Sequence, residues 1–141
     1  MADSSENKVA FELVTPVGLL TSEEVDMVVV PGSAGDFGVL PGHAPLSTTV
    51  RPGVINVHND RAVTRSLFVE GGFAEATPER CTVLAEGATD VTDISAEDAK
   101  ARLSAAEEAY NAADEDAKEA AENELDIARA QAHAAGASAS H

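Results

Sequence analysis

Up to about residue 89 the chain is written in valine-rich apolar runs of four to eight residues, separated by glycine, proline and polar turn residues. Runs this short, broken this often, predict strands rather than helices. They fall at 9–14, 25–30, 54–57, 62–69, 72–76 and 81–86, with shorter stretches around Leu19 and at 37–40 and 46–50. Turn pairs stand between them at Pro31-Gly32, Pro41-Gly42, Pro52-Gly53 and Asn59-Asp60. About ten short strands, uninterrupted by any helix of useful length, favour a β sandwich over βαβ units.

The vocabulary then changes. All six prolines and nine of the ten glycines precede residue 89, and beyond it the chain is mostly Ala, Glu, Asp and Lys. A boundary at 88–93 gives a β-sandwich domain over 1–89 and a helical domain over 90–141 with a disordered tail. Ser95 is placed to cap a helix that reaches about Tyr110, with Glu97 and Asp98 in its first turn. Residues 111–114 break the pattern. A second helix begins at the acids Asp114-Glu115-Asp116, runs to about Ala134 and ends near Gly136. Ala99, Leu103, Ala106 and Tyr110 share a face of the first helix, and Ala117, Ala121, Leu125, Ala128 and Ala132 share one of the second. A short loop between two such helices predicts an antiparallel hairpin with closely approaching axes. Alanine buries little area, so burial supplies on the order of a few kcal/mol, and the hairpin needs a surface to dock on.

Charge narrows the partners. Lys plus Arg is 9 against 25 Asp plus Glu, a net charge of -16 that repels phosphate backbones and anionic lipid, so no nucleic-acid partner is expected. Residues 90–141 hold 13 of those acids and 4 bases, which makes the shorter half the more acidic one. The single cysteine, Cys81, rules out an intramolecular disulfide and points to a reducing setting. The first eight residues resemble neither a signal peptide nor a transit peptide, and no apolar run reaches the ~20 residues of a membrane-spanning helix. Membrane association is expected only through another subunit.

Candidate chemistry is sparse. The glycine-rich run 31–38 lacks the spacing and the lysine of a phosphate cradle and opens no helix. His43 and Asp36 could form an acid–base pair, but no nucleophile or oxyanion donors accompany them. His58, His133 and His141 stand apart from one another and from carboxylates at ligand spacing, and no Asp-x-Asp-x-Asp-Gly loop occurs, so neither a metal nor a cofactor is expected. Cys81 lies in an apolar strand, where cysteine is a small buried hydrophobe. These residues describe an interaction protein.

The run 28–46, VVVPGSAGDFGVLPGHAPL, followed by RPGVI at 51–55, resembles the epsilon-subunit family of F-type proton-translocating ATP synthases, whose mitochondrial counterpart is called delta. FVEGGF at 68–73 and VLAE at 83–86 extend the resemblance over nearly the whole chain. It implies a non-catalytic central-stalk rotor subunit that binds the gamma subunit, sits on the c ring and meets the alpha and beta subunits transiently. That subunit couples proton translocation to ATP synthesis, here at the cytoplasmic face of a bacterial inner membrane. In the family the loop before Pro-Gly-His-Ala-Pro-Leu faces the c ring; its acidic position falls on Asp36 and its histidine on His43, flanked by Gly35 and Gly42. A free-standing regulatory or scaffold protein built on the same two units is the alternative.

Two family activities transfer poorly. Some members bind ATP through a motif Ile/Leu-Asp-x-x-Arg-Ala, and the matching stretch here starts at Ile94, with Ser95 at the acid position, Asp98 at the arginine position and Ala99 last. A carboxylate in place of the cation disfavours a triphosphate. Inhibition by the extended hairpin relies on cations meeting acidic beta segments, whereas this hairpin offers only Lys100, Arg102, Lys118 and Arg129. The expectation is a hairpin that stays folded down, binds ATP weakly or not at all, and inhibits weakly.

Overall fold

A computed structural model describes residues 7–139. Residues 1–6 and the last two, Ser140 and His141, lie outside them, so the expected disordered tail and the place of His141 fall outside the described residues. Ten strands form one hydrogen-bonded sheet: β1 (Val9–Thr15), β2 (Gly18–Val25), β3 (Met27–Gly32), β4 (Gly35–Val39), β5 (Leu46–Val50), β6 (Gly53–Asn59), β7 (Ala62–Val69), β8 (Gly72–Ala76), β9 (Arg80–Ala85) and β10 (Ala88–Asp90). The order is β10-β7-β6-β3-β5-β8-β9-β1-β2, with β4 paired to the other side of β3. Only β1 and β9 run parallel; every other pair is antiparallel.

Period-two patterning explains the curl. Val9, Phe11 and Leu13 of β1, Ile55 and Val57 of β6, and Cys81, Val83 and Ala85 of β9 point inward and are buried, while the residues between them point out. Rolling the sheet around this set encloses one core, so two facing layers arise from a single sheet. The rolled ends are fastened where they meet: Arg65 Nη1 on β7 donates to Glu23 Oε2 at 2.7 Å and Thr21 Oγ1 at 2.9 Å on β2. At β8 the sheet tolerates only glycine, because a Cβ on Gly72, at φ +149°, would stand 2.0 Å from the Leu84 carbonyl oxygen.

β10 pairs with β7, so the sheet reaches Asp90, and a single 3-10 turn, Val91–Asp93, leads into the helices α1 (Ala96–Ala112) and α2 (Glu115–Ala139). Ser95 caps α1 as its position predicts, its Oγ accepting from the Asp98 N–H at 3.2 Å. Asp114 does the same for α2, accepting from the Ala117 N–H at 2.9 Å. Lys118 folds back from α2, donating to the Tyr110 carbonyl at 3.2 Å and lying 4.0 Å from the centre of its ring, which closes the last turn of α1.

The helices depart from expectation in three respects. α2 continues through Gly136 to Ala139, because Gly136 does not adopt the left-handed conformation that would stop it. Ala117 is exposed, since at this turn Lys118 rather than Ala117 covers α1. Most important, α2 buries two faces. Leu125 and Ala128 pack on Ala106, Leu103 and Tyr110 of α1. Ile127 and Ala134, with Ala130, pack on Phe68, Val91, Val54 and Ile94, which docks the hairpin against the sheet.

Candidate functional site

The β3–β4 hairpin turns through Ser33 and Ala34 between the paired Gly32 and Gly35. Glycine is required at 32 because a Cβ there would meet the Gly35 carbonyl oxygen at 2.8 Å and the Phe37 ring at 3.0 Å. Asp36 follows, opposite Pro31, with its carboxylate exposed at the tip. Arg51 holds it: Nη2 lies 2.5 Å from Asp36 Oδ1, Nη1 donates to the Gly32 carbonyl at 2.6 Å, and the Arg51 backbone N–H donates to the Pro31 carbonyl at 2.9 Å. Ser33 adds a backbone bond to Thr49 at 3.0 Å and a hydroxyl bond to its Oγ1. The tip is thereby stapled to the end of β5. The sequence flags Asp36 but not Arg51, whose pairing depends on a chain crossing 15 residues away.

His43 sits elsewhere. It lies in the connection after β4, four residues past the last strand residue Val39, where its N–H turns back to the Leu40 carbonyl at 3.1 Å. Its Nδ1 is 2.6 Å from the Ala44 carbonyl oxygen, which can only accept, so Nδ1–H is the donor. Gly42, at φ +84°, donates its N–H to the Pro78 carbonyl at 2.7 Å and ties this loop to the β8–β9 turn. Asp36 near the start of β4 is bonded to Arg51 and His43 beyond its end is bonded to the Ala44 carbonyl, so the two are not hydrogen-bonded as an acid–base pair.

At the stretch matching the nucleotide motif, Ser95 is committed to capping, Asp98 is exposed in the first turn of α1, Ala99 is buried, and Ile94 packs with Phe68 and Ile127. The helix N-terminus already faces two carboxylates, Glu97 and Asp98. Among the described residues no three His, Cys, Asp or Glu side chains converge as metal ligands. Burial pushes the Cys81 thiol up to about 12, so it is not a nucleophile near neutral pH.

Arg102, counted in the sequence only as one of four hairpin cations, is fully engaged. Nε and Nη2 bind the two oxygens of Glu124 on α2 at 2.8 and 3.0 Å, Nη1 donates to Gln131 Oε1 at 3.2 Å, and Nη1 lies 3.5 Å from Glu70 Oε2, just beyond β7. The hydrogen bonds to Glu124 raise the guanidinium above its ordinary value and hold the Glu124 carboxyl below the usual carboxylate range.

A second surface lies on the outer side of the curl. Cross-strand register lines up Leu19 of β2, Val14 of β1, Leu84 of β9, Phe73 of β8 and Thr49 of β5. Leu19, Leu84 and Phe73 are 60, 51 and 41% exposed, and Val17 in the β1–β2 turn and Leu20 on β2 are exposed as well. Its last member, Thr49, is the residue bonded to Ser33 of the hairpin tip. Period-two alternation hides such a row in sequence, because β2, β1, β9 and β8 each contribute one outward apolar residue and only the register assembles them.

The family model described as ATP synthase, Delta/Epsilon chain, beta-sandwich domain matches residues 8–91, which spans the whole sheet. The ATP synthase epsilon chain of Rhodospirillum rubrum is 53% identical over 120 residues, covering 85% of this chain and 87% of that one. That of Paramagnetospirillum magneticum is 58% identical over 109 residues, covering 77% and 82%. Among solved structures, a chain of the Euglena gracilis mitochondrial ATP synthase, OSCP/F1/c-ring in rotational state 1, aligns over 96% of this chain and 82% of its own with a TM-score of 0.79. A chain of the Tetrahymena thermophila mitochondrial ATP synthase, central stalk and c ring, covers 92% and 98% with a TM-score of 0.64. At 20 and 12% identity these two show a common fold. The sheet, the helical hairpin and the close relatives lead to one conclusion: the chain belongs to the ATP synthase delta/epsilon-chain family.

Proposed function

We propose that the chain is a central-stalk rotor subunit that grips the gamma subunit with the apolar row and meets the polar loops of the c ring with the Asp36 tip, coupling proton translocation to ATP synthesis without performing chemistry itself. The observation that carries the reading is the continuity of the two surfaces. An exposed apolar patch marks a protein interface, and this one runs across β2, β1, β9, β8 and β5 to a hairpin tip stapled at Thr49. A rigid platform with an apolar grip at one end and a charged contact at the other suits a part that transmits rotation. His43, flanked by Gly42, is assigned a supporting contact on the c-ring side.

Among the described residues no helix is long and apolar enough to cross a membrane. The reading therefore has the chain held by its partners at the cytoplasmic face of the bacterial inner membrane. The hairpin is read as resting down, with weak or absent ATP binding and weak inhibition of the alpha/beta catalytic subunits. Support comes from the docking of Ile127, the engagement of Arg102, and carboxylates where a triphosphate would need a cation. The test is reconstitution of the complex in vesicles. Leu84→Asp is expected to abolish co-purification with gamma, and Asp36→Lys, which sets two cations side by side at the tip, to weaken ATP-driven proton pumping per ATP hydrolysed. Normal gamma binding by the first and normal pumping by the second would refute the assignment.

A further inference from the structure

The contacts of Arg51 pose a question that the rotor reading leaves open: why an anionic contact should be half neutralised by a cation of its own chain. As a stabilising device the pair is poor, for both side chains are exposed, Arg51 by 46% and Asp36 by 61%, and exposed pairs contribute little. Its geometry is more specific than its energy. The Arg51 backbone is fixed by its N–H on the Pro31 carbonyl, and the guanidinium is fixed through Nη1 on the Gly32 carbonyl while Nη2 reaches Asp36 Oδ1. Among the described residues Oδ2 accepts no hydrogen bond. We infer that Arg51 is a positioning residue for the c-ring contact: it immobilises the Asp36 carboxylate on the hairpin tip and leaves Oδ2 presented to a cationic or N–H donor of the partner. This inference rests on the rotor reading and deepens it.

The physical gain is preorganisation. A carboxylate on a free tip samples several rotamers, and a partner that meets it must order it at each encounter. A carboxylate already held by one oxygen meets the partner with that cost removed. The arrangement also sets specificity. A partner carboxylate approaching Oδ2 is repelled, while a bulk cation gains less from an Asp36 whose charge Arg51 offsets than from a free one, so the site selects a directed donor over mere positive charge. Lysine cannot replace Arg51, since a single ammonium on a flexible stem does not hold the Gly32 carbonyl and the carboxylate together in a planar fork.

The experiment titrates this chain into the remaining, epsilon-depleted complex in vesicles and reads the concentration that gives half-maximal coupled proton pumping, alongside the thermal midpoint of each free variant and its binding to gamma. Arg51→Ala, Arg51→Lys and Asp36→Ala are each expected to raise that concentration roughly two- to fivefold, the range of one exposed charge pair, with gamma binding unchanged. The swap Asp36→Arg with Arg51→Asp restores a pair within the chain. Positioning predicts that the swap recovers the thermal midpoint without recovering coupling. Recovery of coupling by the swap would make the role structural and overturn the inference. An effect of Asp36→Ala with none of Arg51→Ala would also overturn it while leaving the c-ring contact standing, and no effect of either would remove the contact itself.

Discussion

Ile127→Ala separates the two seams that hold α2. Ile127 is 5% exposed and, among the described residues, is the one large buried apolar side chain that the hairpin contributes to its seam with the sheet, where Ala130 and Ala134 add little area. Truncating a buried isoleucine costs about 2–4 kcal/mol. Among the described residues the remaining polar link across that seam is Arg102 to Glu70 at 3.5 Å between partly exposed groups, which contributes about 0–1 kcal/mol. The α1–α2 seam keeps Leu125, Ala128, Ala106 and the two-pronged Arg102–Glu124 bridge. The substitution should therefore release the hairpin from the sheet before it separates the helices. Amide hydrogen exchange of the full chain measures this: residues 91–94, at the joint, should exchange roughly 30-fold faster for ~2 kcal/mol of lost docking, while the interiors of α1 and α2 keep their protection. Equal loss of protection throughout both helices would refute the argument, because it would mean that the hairpin melts instead of undocking. So would unchanged exchange at 91–94.

Three further outcomes follow from the same contacts. Glu124, held below its ordinary value of 4.5 by Arg102, contributes stability that is complete above that value and lost as pH falls through the lower folded-state value; acid titration of hairpin helicity should show this loss, and Arg102→Ala should abolish it. Gly72→Ala places a Cβ against the Leu84 carbonyl oxygen and should cost ~2–3 kcal/mol in chemical denaturation; a neutral result would mean that β8 and β9 separate at no cost. Calorimetry of the isolated chain with ATP should show no micromolar binding, since Ser95 is used as a cap and Asp98 stands where a cation is needed.

The strands were legible because inward residues such as Val9, Phe11 and Leu13 repeat every second position and the glycines and prolines mark the turns. The cap at Ser95 and the α1 face were legible for the same local reason. The second buried face of α2 was not, because Ile127, Ala130 and Ala134 lie off the face that α1 covers and gain a partner only when the fold sets Phe68 and Val91 opposite them. Arg51 and Arg102 escaped sequence reading as well. Their partners Asp36, Glu70 and Glu124 are brought near only by long-range pairing, and a cation carries no local sign of which carboxylate it will meet. Asp36 and His43, close in sequence, were separated by the one strand between them.

The row from Leu19 to Thr49 crosses the sheet in the direction of its hydrogen bonds, four interstrand steps or about 19 Å. In mechanical terms it is a load path. On the rotor reading, torque entering at the hairpin tip passes to the gamma grip through a backbone ladder, whose stiffness does not depend on which side chains decorate it. Substitutions along the row would then change how firmly the partner is held and leave the compliance of the link alone. Gly72, where β8 and β9 approach too closely for any side chain, is the place where a single methyl group would instead soften the transmission.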